Sequence, residues 1–142
     1  MAKNKHKVKV VSKKTAWKNF STYIRLRDCI ATTGGTDWGI CVTCGRRFPY
    51  KKLQAGHAIG GRTNSILFDE ELVNIQCYQC NMYGSGRYAE YSVWFIKKYG
   101  MDKWNEKINL SRKVGIKLNY TEINERYKEK TKALLRMYED IE

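Results

Sequence analysis

The sequence has no apolar run long enough to cross a bilayer, and no apolar segment of signal-peptide length follows its first lysines. These absences predict no membrane partner and no export, so a cytoplasmic protein is expected. Acidic residues are missing from one end, since none precedes Asp28. Residues 1–14 are therefore predicted to form a basic arm that lies along phosphate groups.

Positive charge is in large excess. Twenty-seven Lys and Arg residues stand against fourteen Asp and Glu residues, which gives a formal net charge of +13. A field of this sign attracts polyanions, so nucleic acid is the leading candidate partner, and a merely soluble basic protein is the alternative. The 142 residues suit one compact domain with a tail rather than two domains.

Helical spacing of apolar residues recurs along the chain, and no internal repeat is visible. The predicted helices cover residues 15–29, 88–99, 102–113 and 121–138. Ser12 or Thr15 is the predicted N-cap of the first helix, Gly100 the C-cap of the second, and Thr121 the N-cap of the last. The sequence therefore predicts helices that surround one small metal-centred core.

A strand-like run covers residues 53–59, and residues 66–68 are the predicted returning strand. The fold class is therefore α+β, mainly α. Residues 15–100 are predicted to form the zinc-stabilised core with its flanking helices, and residues 101–142 a C-terminal helical extension.

Four of the five cysteines fall into two C-x-x-C pairs. The pairs are Cys41 with Cys44 and Cys77 with Cys80. Without a secretion signal this spacing favours metal over disulfides, and four thiolates match the tetrahedral site of structural zinc. Chance pairing or a redox dithiol is the alternative. Gly45 suits a sharp knuckle turn, and Cys29 is predicted to be a small buried residue.

The segment between the two pairs is longer than in a plain zinc ribbon, and it contains His57, one of only two histidines. Because four cysteines complete a closed zinc site, His57 is not needed as a structural ligand. From the residues alone, a buried hydrogen-bonded histidine and a functional one both remain open.

Two asparagines flank the second pair, since Asn74 lies three residues before Cys77 and Asn81 directly follows Cys80. Here the chain resembles the HNH or ββα-metal nucleases, which carry a histidine on a hairpin, an asparagine in the next loop and a final His or Asn on a helix. The order C-x-x-C, Gly-His, C-x-x-C-Asn is similar to that of phage endonuclease VII-type Holliday-junction resolvases. Over residues 17–99, the segments YIRLRD, CVTCGR, QAGHAIGGR, FDEELVNIQCYQCN and YGSGRYAEY resemble the phage NinG (Rap) recombination endonucleases.

This resemblance implies a treble-clef zinc or ββα-metal (HNH) core in a phage protein that acts in the host cytoplasm. It also implies a metal-dependent endonuclease that cleaves branched DNA such as Holliday junctions and D-loops. Phosphodiester hydrolysis needs an activated water, a base and a cation. By this resemblance His57 is expected to be the base, and Asn74 to orient the histidine or its loop. Asn81 is expected to be a ligand of Mg²⁺ or Mn²⁺.

The chain departs from the endonuclease VII pattern at one position, because Gly56 stands where those enzymes have an aspartate. A glycine offers no ligand, so a carboxylate is expected from elsewhere, with Asp69 as the first candidate and Glu70 and Glu71 beside it. A solvated acidic turn is the alternative for each of them. If none reaches the ion, the remaining alternative is that His57 is itself a metal ligand.

Basic residues that flank the proposed site in sequence are candidate DNA contacts, since a nuclease must hold phosphates on both sides of the scissile bond. They are Arg46, Arg47, Lys51, Lys52, Arg62 and Arg87. Arg62 and Arg87 come first because each lies beside glycines, and surface charge is the alternative. Arg25 and Arg27 of the first helix are weaker candidates, with the solvated side of the helix as the simpler interpretation.

Two other functions stay open at this point. One is a sequence-selective HNH nicking or homing endonuclease, and the other is a non-catalytic, zinc-stapled DNA-binding module. The module leaves His57, Asn74 and Asn81 without a role. A homodimer is a further expectation, because its two-fold symmetry would match that of a four-way junction.

Overall fold

The computed structural model describes residues 10–141 and shows a mixed α+β chain that is mainly helical. Its helices are α1 (Lys13–Thr33), α2 (Tyr88–Tyr99), α3 (Met101–Ser111) and α4 (Tyr120–Ile141). Its strands are β1 (Trp38–Ile40), β2 (Arg47–Pro49), β3 (Leu53–His57) and β4 (Val73–Cys77). A 3-10 turn (Tyr50–Lys52) precedes β3, and a π-helical turn (Gln79–Tyr83) follows β4.

Helix α1 begins two residues before its predicted start because Ser12 is the N-cap, with its Oγ accepting from the Thr15 amide at 3.2 Å. The helix continues four residues past its predicted end and stops at Gly34, whose φ of 80° suits a left-handed C-cap. Residues 13 and 14 of the predicted basic arm therefore belong to α1. Residues 1–9 of that arm lie outside the described part of the chain.

The later helices follow their predicted positions closely. Gly100 is confirmed as the C-cap of α2, since its amide donates to the carbonyl oxygen of Ile96. Thr121 was wrong as the N-cap of α4, because the side chain of Asn119 accepts from the amide of Glu122 instead. Among the described residues, none of the helices combines the length and apolarity that a membrane crossing requires.

Strands β3 and β4 form the antiparallel hairpin that carries the candidate site, and His57 lies opposite Val73 in it. The predicted returning strand at residues 66–68 was wrong, because these residues form a turn in which Ile66 donates its amide to the Thr63 carbonyl. Ile66 is fully buried within this turn. A short apolar run does not distinguish a buried strand from a buried turn. The strand that pairs with β3 is β4, at Val73–Cys77, later in the sequence than predicted.

A second hairpin, formed by β1 and β2, encloses the first cysteine pair, and the sequence pattern did not predict it. Strands of three residues are too short to show an alternating pattern. The knuckle turn predicted at Gly45 is confirmed, since this residue has a φ of 72° and donates its amide to the carbonyl of Cys41.

The β3–β4 hairpin lies between helices that pack on its two faces. On one face, α1 and α4 form a core with the hairpin, composed of Ala16, Phe20, Ile24, Ala55, Val73, Ile123 and Tyr127. On the other face, Tyr91 of α2 contacts the hairpin through Gly56 and Asn74. The C-terminal helix α4 thus contributes directly to the core that supports the candidate site.

Candidate metal centre and catalytic site

The four cysteines of the two C-x-x-C pairs come together at one point. Their sulfur atoms all lie within 4.8 Å of one another, and the Sγ atoms of Cys44 and Cys77 are 3.9 Å apart. Four sulfur ligands at this spacing suit a tetrahedral zinc ion. Cys29 is fully buried and packs against Leu53 and Ile75, outside this cluster.

Hydrogen bonding prepares one of these thiols for ionisation. Burial disfavours the Cys41 thiolate, but hydrogen bonds, first of all from Thr43 at 3.3 Å, outweigh it and lower the Cys41 pKa to about 7. Burial raises the pKa of Cys77 to about 12. Because zinc binds thiolates, its binding must release protons and must strengthen as pH rises.

Gln76 joins the cysteine centre to the hairpin, and the sequence reasoning missed it. Its Nε2 donates to the Thr43 hydroxyl at 3.2 Å and to the carbonyl oxygen of Gly86 at 2.9 Å. Its Oε1 is the one fully buried side-chain oxygen or nitrogen without a partner in the described part of the chain. A polar residue inside a strand that is buried on both faces was the available signal.

His57 ends β3 and lies against α1. Its Nε2 is 3.0 Å from the carbonyl oxygen of Leu67, and its ring stacks on Trp17 with centroids 5.3 Å apart. Burial lowers the His57 pKa to about 4, so the ring is neutral at pH 7. Because a carbonyl only accepts, Nε2 carries the proton and Nδ1 keeps its lone pair.

The Nδ1 atom of His57 has no hydrogen bond to the described residues and keeps its lone pair. Leu67 and Trp17 fix the orientation of the ring that carries it.

Asn74 is buried on β4 and holds the loop before that strand. Its Nδ2 donates to the Glu71 carbonyl at 3.0 Å and to the Tyr91 hydroxyl at 3.1 Å, while its Oδ1 accepts from Arg27 at 3.1 Å. All of its polar atoms are thus engaged within the protein. This environment suits a residue that positions a loop.

Tyr91 extends this network to the residue before the histidine. Its hydroxyl donates to the Gly56 carbonyl at 2.7 Å, and burial raises the Tyr91 pKa far above its usual value. The hydroxyl therefore remains protonated, and a donor, at neutral pH. The bonds from Asn74 through Tyr91 to Gly56 fix the backbone beside His57.

Arg27 is half-buried and bonded within the protein, so a solvated helix side does not describe it. Its guanidinium donates to Asp28 and to the carbonyl oxygens of Glu70 and Val73 at 2.8, 2.8 and 3.0 Å. Arg27 therefore ties α1 to the loop that leads into β4.

Asn81 lies in the π-helical turn beside β3. Its Nδ2 donates to the side chain of Gln54 at 2.8 Å, and its Oδ1 has no donor among the described residues. This Oδ1 lies 3.0 Å from the position that a Cβ would occupy on Gly56. The structure thus brings the amide oxygen of Asn81 to the residue directly before His57.

The acidic turn at residues 69–71 is engaged with the C-terminal helices. Asp69 accepts two backbone amides with Oδ1, and its Oδ2 lies 2.8 Å from the Nζ of Lys107. Glu70 accepts from Tyr127 and Lys130, while Glu71 pairs with Lys107 at 2.9 Å. Each of the three carboxylates therefore has one oxygen in an ion pair with a lysine.

The basic residues named from the sequence lie in different surroundings. Arg62 lies over the ring of Trp17 at 4.4 Å, and its charge is one of the causes of the lowered His57 pKa. Arg46 and Arg87 line a depression beside the cysteine centre, and Arg47 lies over Trp38 at 4.9 Å. Arg62 is the member of this set that the structure places next to His57.

Lys51 and Lys52, the two lysines among these basic residues, line a separate cleft of about 330 Å³. Lys51 and Lys52 share its wall with Gln54, the partner of Asn81, and with Tyr78, which is 47% exposed. A cleft with cationic and aromatic walls therefore adjoins the Asn81 side of the site.

These features define a mixed α+β, mainly helical protein with a four-cysteine centre that can hold zinc. Residues 1–139 match the protein family described as bacteriophage lambda NinG protein. Since the match covers nearly the whole chain, the protein belongs to the NinG family. No curated protein and no solved structure matches the chain.

Proposed function

We propose that this protein is a metal-dependent endonuclease of the HNH type that hydrolyses phosphodiester bonds in branched DNA, such as Holliday junctions and D-loops. The observation that carries the proposal is His57, a neutral imidazole whose Nε2 is held by Leu67 and whose Nδ1 keeps its lone pair. The β3–β4 hairpin, followed by a helical turn that contains Cys80, agrees with the ββα-metal and treble-clef arrangement.

In this mechanism Nδ1 of His57 accepts the proton of the attacking water. Because the ring is neutral at pH 7, its lone pair is available without prior deprotonation. A pKa of about 4 makes a weak base in the free protein. The negative charge of a bound phosphate raises that pKa and strengthens the base in the complex with DNA.

A divalent cation supplies charge neutralisation at the phosphate and at the leaving oxygen. The residues present fit a hard cation such as Mg²⁺ or Mn²⁺, because Oδ1 of Asn81, which has no donor within the described part of the chain, lies beside the residue that precedes His57. The four cysteines would hold a separate, structural zinc ion. Asn81 directly follows one of them, Cys80, in the sequence.

DNA binding follows from the net charge of +13 and from basic residues around the site. Arg62, which contacts Trp17 beside the base, is the first candidate for the scissile phosphate or its neighbour. Lys51 and Lys52 in the adjoining cleft extend the contact along one strand. Arg46, Arg47 and Arg87 serve more distant phosphates.

The test is cleavage of a labelled four-way junction and of a linear duplex with the same arm sequences. Zinc-loaded protein is incubated with Mg²⁺, with Mn²⁺ or without either ion. We expect divalent-dependent cuts near the branch point of the junction and little cutting of the duplex.

Each competing function predicts a different pattern. Equal cutting of both substrates at one sequence would indicate a nicking or homing endonuclease instead. Binding of the junction without cleavage under all three conditions would indicate a DNA-binding module and would refute the proposal.

A further inference from the structure

We propose that Gln76 provides a second oxygen contact for the catalytic cation and thereby replaces the carboxylate that is missing at Gly56. This inference builds on the proposed nuclease function. Its basis is a pair of amide oxygens, from Gln76 and Asn81, that converge on the same glycine.

The Oε1 of Gln76 is an unusual atom in this chain. Gln76 has no exposed surface, and Oε1 has no hydrogen-bond donor in the described part of the structure. A buried carbonyl-type oxygen without a partner costs on the order of 1–3 kcal/mol. Such an atom needs an explanation, and a ligand is one of the few that physical chemistry offers.

The orientation of the Gln76 amide is determined by its neighbours. Its nitrogen lies 2.9 Å from the carbonyl oxygen of Gly86, which can only accept a hydrogen bond. Exchange of the oxygen and nitrogen positions would bring two acceptors together, so the amide cannot be flipped. Thr43, which also contacts Cys41, holds the same nitrogen from the side of the cysteine centre. Oε1 is therefore directed at Gly56.

Because Gly56 has no side chain, the Gln76 amide can occupy the space beside it. A Cβ on this residue would lie 1.9 Å from Oε1 of Gln76 and 3.0 Å from Oδ1 of Asn81. An aspartate at position 56 is thus incompatible with the present position of Gln76. The oxygen of Gln76 lies where the first atoms of such a side chain would be.

The chemistry of the two oxygens indicates the kind of ligand. Amide oxygens are hard, neutral donors that suit Mg²⁺ or Mn²⁺, and Mg²⁺ keeps several of its waters, so Gln76 contacts either the ion or one of those waters. Because neither donor carries a charge, binding to the free protein is weak. The phosphate of bound DNA completes the site.

The test uses Mn²⁺ alone with zinc-loaded, ¹⁵N-labelled full-length protein. Paramagnetic relaxation of the side-chain amide protons reports their distance from the ion. We expect the amides of Gln76 and Asn81 to be the two most strongly relaxed, and the amide of Asn124, which is bonded to Asn19, to be unaffected. The backbone amides are followed in the same sample, and strongest relaxation at those of residues 69–71 would overturn the proposal.

A charge-adding variant tests the contact itself. We expect Gln76→Glu to bind Mn²⁺ at least ~10-fold more tightly than the wild type, since a carboxylate replaces a neutral oxygen at the ion. Gln79→Glu, which adds the same charge at an exposed position three residues away, is the matched control and should change the affinity by less than ~3-fold. Equal effects of the two variants would overturn the role of Gln76.

If Gln76→Glu fails to retain zinc, the relaxation distances in the wild type decide whether Gln76 contacts the ion. A Gln76 amide clearly farther from Mn²⁺ than that of Asn81 refutes the contact. The outcomes also separate this inference from the proposed function. DNA cleavage without Mn²⁺ near Gln76 leaves the nuclease and removes the inference. Mn²⁺ at Gln76 in a protein that cuts no DNA leaves the cation site and removes the nuclease.

Discussion

The indole of Trp17 lies nearly parallel to the imidazole of His57, with an interplanar angle of 16° and centroids 5.3 Å apart. Helix α1 thus forms the wall that buries the proposed base. Burial is the largest cause of the low His57 pKa, and the nearby charge of Arg62 lowers it further. The pKa of His57 therefore depends on its burial against Trp17 as well as on the charge of Arg62.

The first prediction concerns this pKa. In a His6→Asn background His57 is the sole histidine, so its proton resonances can be followed alone. We expect no titration of the ring between pH 8 and about 5.5, because its pKa lies near 4. Trp17→Leu exposes the ring and should raise the pKa toward 6.5, while Trp38→Leu, at a 43% exposed position, should leave it unchanged. Titration of the wild-type ring near 6.5 would contradict the buried environment.

The same shift makes the stability of the fold sensitive to acid. The unfolded chain takes up a proton on His57 below its ordinary pKa of 6.5, whereas the folded chain does so only near 4. Stability is therefore unaffected by this group above pH 6.5. The free energy of unfolding decreases by up to about 1.4 kcal/mol per pH unit as the pH falls from 6.5 toward 4. Urea unfolding at pH 7.5 and 5.5, compared between wild type and His57→Gln, measures this contribution.

The second prediction concerns zinc. Purified protein should contain one tightly held zinc ion per chain, and Cys41→Ser should lose both the ion and the fold, because the binding energy of such a site is folding energy. Cys29→Ala is the matched control, since Cys29 is buried outside the cluster and its loss should leave the zinc content unchanged. Elemental analysis and circular dichroism check both variants. A zinc-free wild type that is fully folded would refute the structural role.

Part of this site followed from sequence spacing alone. Two C-x-x-C pairs can be recognised without a structure because the ligand atoms of each pair are close in sequence. The same holds for helical periodicity, which located all four helices to within a few residues. Caps were harder to place, since Asn119 and Thr121 are both plausible by composition and only the backbone path selects Asn119.

The rest depends on tertiary contacts that no local pattern contains. The sequence favoured a solvated helix residue at Arg27, but the loop before β4 approaches it and accepts its hydrogen bonds. The ion pairs of the acidic turn with Lys107 and Lys130 also join segments far apart in sequence, so no local pattern shows them. At Gln76 the sequence shows only a polar residue within an apolar segment, and the close approach to Gly56 on the neighbouring strand appears only in the structure.

The third prediction tests the close approach at Gly56. Gly56→Ala should destabilise the fold by about 1–3 kcal/mol, because its Cβ meets the fixed Gln76 side chain. Gly35→Ala, whose nearest contact would be 3.7 Å away, should cost less than about 0.5 kcal/mol. In the double variant Gly56→Ala/Gln76→Ala the costs should be less than additive. Strict additivity in urea unfolding would show that the two residues do not compete for space.

The fourth prediction concerns the ion pair between Lys107 and Asp69, whose side chains are 11% and 9% exposed. Lys107→Met leaves a buried carboxylate without its cation and should cost about 3 kcal/mol. Lys103→Met removes a partly exposed pair with Glu71 at 3.7 Å and should cost less than about 1 kcal/mol. Unfolding by urea gives both values.

The same variant also tests whether Asp69 serves the catalytic ion. If Asp69 were a hidden metal ligand, its release by Lys107→Met would strengthen Mn²⁺ binding. We expect no such gain, since the cation contacts proposed for this chain are Gln76 and Asn81. A tighter Mn²⁺ complex in Lys107→Met would return Asp69 to the site.

The central claim is that His57 is the general base. His57→Gln is the sharpest variant, because glutamine keeps a donor for the Leu67 carbonyl and removes the basic Nδ1. His57→Ala serves beside it, although the loss of a buried ring against Trp17 will also lower its melting temperature.

The most direct measurement is the single-turnover rate of four-way-junction cleavage by His57→Gln at saturating protein and Mg²⁺, with zinc content and junction affinity determined on the same preparation. We predict a rate at least ~10²-fold below wild type with zinc and affinity retained, as expected when a general base is lost. A His57→Gln protein that cuts at nearly the wild-type rate would contradict the account.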